Sequence, residues 1–468
     1  MEHPGLRSLE LSLCLCLLYS GYETARASSL TLFNSNYSAY SAGVGGALTT
    51  TLSFVLSLAS LQLYGRGEET LGGRWTLVLS AGGCCGAFLG FAMVSFDAQV
   101  SLMKVAGLFA VRETYVAWIG TQIWSMLSSD LKRAGPEESR RWFCIIQGVS
   151  CICSAVSGTA AGRLATAGGQ GVLLLATALS LGIITATVAV LPSSALGAGT
   201  SEGGESSDSG EKRREAHVLN KNGSLLSVLR ASVSIFRGSP LLTALLAEAV
   251  VCQVLTATLN MSFNKAIRQS MASGLADEKH AGARAAGFVG KSFALIGLIS
   301  GALQLLVMPW VMVRVDPSLL LRALPVVAGC GFLVTFVSPG FRTATAAFAL
   351  TKTLEYSVRG TALELIFQLM PDRERLLGTE AISLIGVRIG RTTAHIALYL
   401  CSALLGGAPP QRALMAGAIA SAAVWGVTLR QVEMLVKNGN SYRKRSPPPR
   451  TFERSSRSQR LMMLLKQG

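Results

Sequence analysis

Ionisable side chains recur at helical spacing inside long apolar runs of this chain. Lys352, Glu355 and Arg359 fall at i, i+3 and i+7 of one run and share one helical face. Arg388, Arg391 and His395 repeat that spacing in the next run. Glu23 with Arg26, Arg112 with Glu113, Glu248, Lys291 and Glu364 occupy similar settings. Hydrocarbon rejects ionised groups, so each needs a partner or a cavity. Cations outnumber carboxylates across the two stripes, which offers charge-assisted hydrogen bonding to an anion. Salt bridges that only lock helices together are the other reading of the same residues. Tyr115 lies three residues past Arg112 on one face, where its ring suits stacking on a planar base or packing in a bundle.

The elements that must position these residues are membrane spans. The chain has 468 residues, 50% apolar and only 15% charged, against about 25% charged in soluble proteins. Its apolar blocks match the roughly 20 residues needed to cross a bilayer. Twelve spans are predicted, near 9–33, 44–64, 75–95, 105–127, 143–165, 170–191, 241–263, 287–308, 319–337, 343–367, 380–405 and 413–436. The expected fold class is all-α, a polytopic membrane protein with twelve transmembrane helices in two six-helix bundles, 1–191 and 241–436. Residues 192–240, with Ser201–Gly210 at their polar centre, read as a disordered linker, and 437–468 as a basic disordered tail. The run Leu9–Leu18 after Arg7 has the look of a signal-peptide core. No small-residue cleavage site follows it, so it reads as a retained first span.

A net charge of +16 would suggest nucleic acid as the partner of a soluble chain. Here the Lys and Arg residues gather in alternate loops, in the linker and in the tail, so topology accounts for them and no nucleic acid is expected. The bias puts both termini and the linker on the cytoplasmic side, or its equivalent in an organelle. Plasma membrane and organelle, plastid or mitochondrial, stay open. Gly158-x-x-x-Gly162 and Gly297-x-x-x-Gly301 are helix-packing motifs. The ten cysteines lie in or beside apolar spans without a His or Asp cluster, so no metal site is expected. G-x-x-x-x-G-K-[ST] and H-E-x-x-H are missing, and the one G-x-S-x-G match, Gly199–Gly203, falls in the polar linker rather than on a strand-to-helix turn, which argues against an enzyme, a cofactor or an ATP-driven pump.

The stretch Lys352–Glu364, continued by Leu369-Met-Pro371 and Ile385-Gly-Val-Arg-Ile-Gly390, resembles the ATP/ADP translocases of plastids and obligate intracellular bacteria, a major facilitator-like family. Arg112-Glu-Thr-Tyr-Val-Ala-Trp118, Trp124, Arg140–Phe143 and Tyr22–Leu30 extend the resemblance. It implies a twelve-helix antiporter of nucleotides, with Arg26, Glu113, Glu355, Glu364 and Arg388 keeping the family pattern along the path. Glu23 stands where that family has Lys, Ala27 where it has Asp, and Leu363 where it has Lys. Thr379 and Ser383 replace a further Lys and Asp. Fewer cations weaken the case for a triphosphate. The expected substrate set is therefore Arg26, Arg112, Glu113, Tyr115, Glu248, Lys291, Lys352, Glu355, Arg359, Glu364, Arg388 and Arg391. The expected partners are a nucleotide or another organic anion and membrane lipid. The alternative is a non-transporting scaffold or complex subunit of the same fold, with membrane-complex partners. In a transporter, spans 1, 4, 7 and 10 would line the cavity between two rocking halves.

Overall fold

The computed structural model describes residues 4–36, 39–94, 101–133, 136–191, 236–272, 278–368, 370, 378, 382–406 and 409–445. These residues are almost wholly helical. Span 1 is α1 (Pro4–Asn36), and spans 2 and 3 are the arms of α2 (Ala39–Met93). Span 4 is α3 (Leu102–Arg133), and spans 5 and 6 are the arms of α4 (Pro136–Val190). Each long helix doubles back at glycine: Gly72 has φ 79° and Gly169 has φ 69°. Those left-handed angles are open to residues without a Cβ, which is why the chain reverses there.

The second half opens with α5 (Pro240–Ala272), which is span 7. Span 8 joins α6 (Glu278–Ala302) through a π-helical turn, Leu303–Val307, to α7 (Met308–Arg314). Span 9 is α8 (Pro317–Val337), which starts on Pro317 with the Asp316 carboxylate accepting from the Ser318 amide at 2.9 Å. Span 10 joins α9 (Phe341–Leu354) through the π turn Glu355–Arg359 to α10 (Gly360–Gln368). Span 11 is the π turn Ile382–Gly386 followed by α11 (Val387–Leu404), and span 12 is α12 (Gln411–Arg445).

Each half has its own apolar core. Leu11, Leu15, Phe88, Leu108, Ile119 and Ile184 anchor the first. Leu242, Leu255, Phe332, Phe348 and Trp425 anchor the second. Among the described residues six helical stretches are long and apolar enough to cross a membrane, including both arms of Arg141–Val190. Spans 1, 4, 10 and 11 fall outside that group because they carry the ionisable residues. The architecture is that of an integral multi-pass membrane protein with two six-helix bundles.

The halves meet most closely where span 5 crosses span 8. A Cβ placed on Gly158 would sit 2.8 Å from the carbonyl oxygen of Gly290, and one on Gly162 would sit 2.8 Å from Gly287 Cα. Farther down, Gly297 approaches the Cys151 carbonyl and Gly301 that of Gly148, each at 2.9 Å by the same measure. The two Gly-x-x-x-Gly motifs thus lie in one antiparallel seam, each packed against other small residues of the opposite helix.

Two boundaries differ from expectation. The tail expected to be disordered from Lys437 continues α12 to Arg445, where basic residues suit the negative end of a helix. The rest of the tail lies outside the described residues, as does the linker up to 235, while 236–238 form a helical turn.

Candidate functional site

Between the halves lies a cavity of about 100 Å³ lined by residues of spans 1, 2, 4, 7, 8, 10 and 11. Arg26, Arg112, Lys352, Arg388 and Arg391 all line it, together with Glu113 and His395. Glu23 and Glu355 stand behind them as ion-pair partners of Arg26 and Lys352. The layer therefore holds five cations against three carboxylates.

Glu113 is its centre. Arg112 Nη2 meets Glu113 Oε1 at 2.5 Å and Tyr22 donates to the same oxygen at 3.0 Å. Glu113 Oε2 pairs with Arg391, and Arg388 Nη1 lies 3.6 Å from it. Arg388 also donates to the Glu113 backbone carbonyl at 2.7 Å. One carboxylate of the first half is thus held by two arginines of the second.

The network continues into the second half. Arg391 Nε donates to Gln253 at 2.8 Å, Gln253 donates to Glu355 at 3.2 Å, and Lys352 Nζ meets Glu355 Oε2 at 2.7 Å. On the opposite wall Arg26 pairs with Glu23 at 3.0 Å, and Ser154 donates to Glu23 at 3.0 Å. The Arg26 guanidinium stacks 3.9 Å from the Phe293 ring centre and 4.3 Å from that of Tyr22. Its Nη2 reaches the Tyr356 hydroxyl across the two halves at 3.4 Å. Arg112 lies over Phe109 at 3.9 Å and donates to Ser29 at 2.6 Å. Two donors stay unused among the described residues: the Nε–H groups of Arg112 and Arg388 are buried without a hydrogen-bond partner there.

A second cavity, about 370 Å³, lies toward the linker side and is lined by Tyr19, Trp124, Phe143, Gln147, Gln304, Glu364 and Ser383. Tyr356 lines both cavities and separates them. It sits in the π turn of span 10, and Gln304, from the π turn of span 8, donates to its carbonyl at 2.9 Å.

The expected site residues divide accordingly. Arg26, Arg112, Glu113, Lys352, Arg388 and Arg391 converge on the first cavity, with Glu355 behind them. Glu364 belongs to the second. Four depart from expectation. Tyr115 is 1% exposed and turns into the first core, edge-on to Phe88 at 5.0 Å, because aromatic burial there outweighs the spacing with Arg112. Glu248 is fully buried within the second half, where Arg359 grips both its oxygens at 2.8 and 2.9 Å and Trp425 donates at 3.0 Å. Arg359 leaves the Lys352 face because the π turn adds a residue and rotates the side chains beyond it. Lys291 is exposed on the outer surface of span 8.

Spacing did not single out Tyr356, Gln253, Asn260 or Asn264. A signal was present in span 7, where Gln253, Thr256, Asn260 and Asn264 recur every three or four residues in an apolar run.

No known family description matches the chain, and no curated protein matches it in sequence. Solved structures match over nearly the whole length. The human organic anion transporter MFSD10 (TETRAN) aligns with 93% of this chain and 100% of its own, at 14% identity and a TM-score of 0.60. The nucleoside transporter NupG covers 91% and 99%, at 12% identity and a TM-score of 0.57. A D-xylose–proton symporter covers 90% and 97%, at 12% identity and 0.59. The fold is that of the major facilitator transporters. Identity this low establishes the architecture, and a kinship with the ATP/ADP translocases rests on the motifs alone.

Proposed function

We propose that the chain is a secondary transporter that binds an organic anion in the cavity between its halves. Its most concrete form is an antiporter of nucleotides. The observation that carries this reading is the pair of buried, unpartnered Nε–H donors on Arg112 and Arg388, both residues lining one cation-rich cavity. A buried donor left unsatisfied costs about 1–3 kcal/mol, and an anion arriving there removes that cost. Tyr22, Phe109 and Phe293 offer ring faces beside the guanidinium groups. The likeness to an organic anion transporter and a nucleoside transporter supports the class of cargo, and the local motifs support a nucleotide.

In this reading residues 1–191 and 241–436 act as two rocking bodies. Glu113 occupies Arg388 and Arg391 when no substrate is bound. An arriving anion competes for the same guanidinium groups and loosens the tie between halves, while the Arg26–Tyr356 contact must also part. Access then passes from one cavity to the other past Tyr356. The rival reading, a non-transporting scaffold or complex subunit, draws on the same saturation of Glu113 by arginines.

The test is uptake into reconstituted vesicles across a panel of labelled nucleotides, organic phosphates and carboxylates, with and without internal anion. Uptake of one class, stimulated by internal anion, is expected. Failure of well-folded wild-type protein to bind or move any of them would leave the scaffold reading in place.

A further inference from the structure

The seam between spans 5 and 8 carries a second feature on its lipid side. Gly162 and Gly290, both seam residues, are each followed by a cation, Arg163 and Lys291. In an α-helix the next residue is turned by about 100°. Two antiparallel helices facing each other turn in opposite senses when viewed from one end, so both following residues point to the same side. Exposure agrees at several points of the seam. Val156 after Ala155, Leu295 after Ala294 and Leu298 after Gly297 are 65%, 53% and 54% exposed. Arg163 and Lys291 are exposed with them.

Pairing of Gly162 with Gly287 and of Gly158 with Gly290 sets Arg163 and Lys291 about 8 Å apart along the helix axes. Side chains of this length can converge on one group over that gap. Lys291 lies five residues inside the apolar stretch Ala286–Met312, and Arg163 lies five before the Gly168 bend. Both therefore sit just beneath the membrane surface opposite the chain termini. Neither has an acidic partner among the described residues. Deeper in the same face lie the exposed apolar side chains of Val156, Leu295 and Leu298.

We infer that this face binds an anionic phospholipid of the leaflet opposite the termini, with Arg163 and Lys291 clamping its phosphate and the exposed apolar side chains packing on an acyl chain. Arg163 belongs to the first half and Lys291 to the second. A lipid held by both ties the halves together at that end and favours the conformation with the seam closed.

Native mass spectrometry of the purified full chain, with phosphatidylglycerol or phosphatidylcholine added, tests the proposal. Wild-type protein should retain phosphatidylglycerol preferentially. The double variant Arg163→Gln/Lys291→Gln should lose that preference about thirtyfold, in line with the attraction of two cations near an anionic lipid surface. Lys291→Arg should keep it, and so should Arg342→Gln, which removes an exposed cation from the first turn of span 10. Equal retention of the two lipids by wild type overturns the proposal, as does an unaltered preference in a monodisperse double variant. If the double variant aggregates, the two single Gln variants carry the test, each expected to lose about fivefold. An unchanged preference in both overturns it equally.

Discussion

Glu248 and Glu113 are both glutamates buried among arginines in the middle of the bundle, yet their surroundings differ in one respect. Every observed partner of Glu248 comes from its own half: Arg359 from span 10 and Trp425 from span 12. Glu113 takes Arg112 and Tyr22 from its own half and Arg388 and Arg391 from the other. Burial of charge therefore does not mark a site. What separates the two is whether the pairing crosses the boundary between the two bundles. An internal pair stabilises one bundle, whereas a crossing pair can be exchanged for a ligand.

The largest expected effect falls on the internal pair. Arg359→Ala should destabilise the protein by about 3–5 kcal/mol, because it leaves the Glu248 carboxylate buried and unpaired. Thermal unfolding in detergent measures this. Glu248→Gln combined with Arg359→Met should recover most of the loss. A well-folded Arg359→Ala protein that has lost anion binding would erase the distinction between internal and crossing pairs.

Arg388→Gln should fold and should bind anion about tenfold more weakly, since a charge-assisted hydrogen bond contributes about 1.5–3 kcal/mol. Arg388→Lys should restore part of that affinity, keeping charge without the planar fork. Direct binding to monodisperse samples decides it, and equal affinity in wild type and Arg388→Gln removes Arg388 from the site.

Glu113→Gln sharpens the comparison from the other side. It removes the built-in competitor for Arg388 and Arg391, so a bound anion should raise the melting temperature more in this variant than in wild type. A smaller rise would mean that Glu113 organises the site instead of competing for it.

The smallest effect concerns Lys352 and Glu355. The double variant Lys352→Ala/Glu355→Ala should melt higher than Lys352→Ala alone, by a coupling of about 1 kcal/mol. Additive losses would show that the Lys352–Glu355 contact is not a structural pair.

The fold was legible because lipid imposes a length on every crossing, so apolar runs and the polar breaks between them sufficed to count spans. The glycine motifs were legible as packing, though their partners were not, since no local pattern names the opposite helix. Arg26, Arg112, Lys352, Arg388 and Arg391 stood out by being cations where hydrocarbon forbids them. The same criterion misplaced Glu248, Arg359 and Lys291, because a charge in a span can be satisfied inside one bundle or at the lipid surface. Tyr115 was misplaced by spacing: a helix has more than one buried face, and Phe88 waits on the other. Arg359 was misplaced by the π turn, which no regular periodicity anticipates.

That turn has company. Among the described residues the three π turns, Leu303–Val307, Glu355–Arg359 and Ile382–Gly386, all fall in the second half, while the glycine reversals at Gly72 and Gly169 fall in the first. A π turn holds one surplus residue, which a helix can hand along its length one step at a time. Each hand-over re-phases the side chain it passes by about 100° without lifting the helix from its neighbours. Among the described residues only the second half holds such a turn, and Tyr356 sits in one of the three.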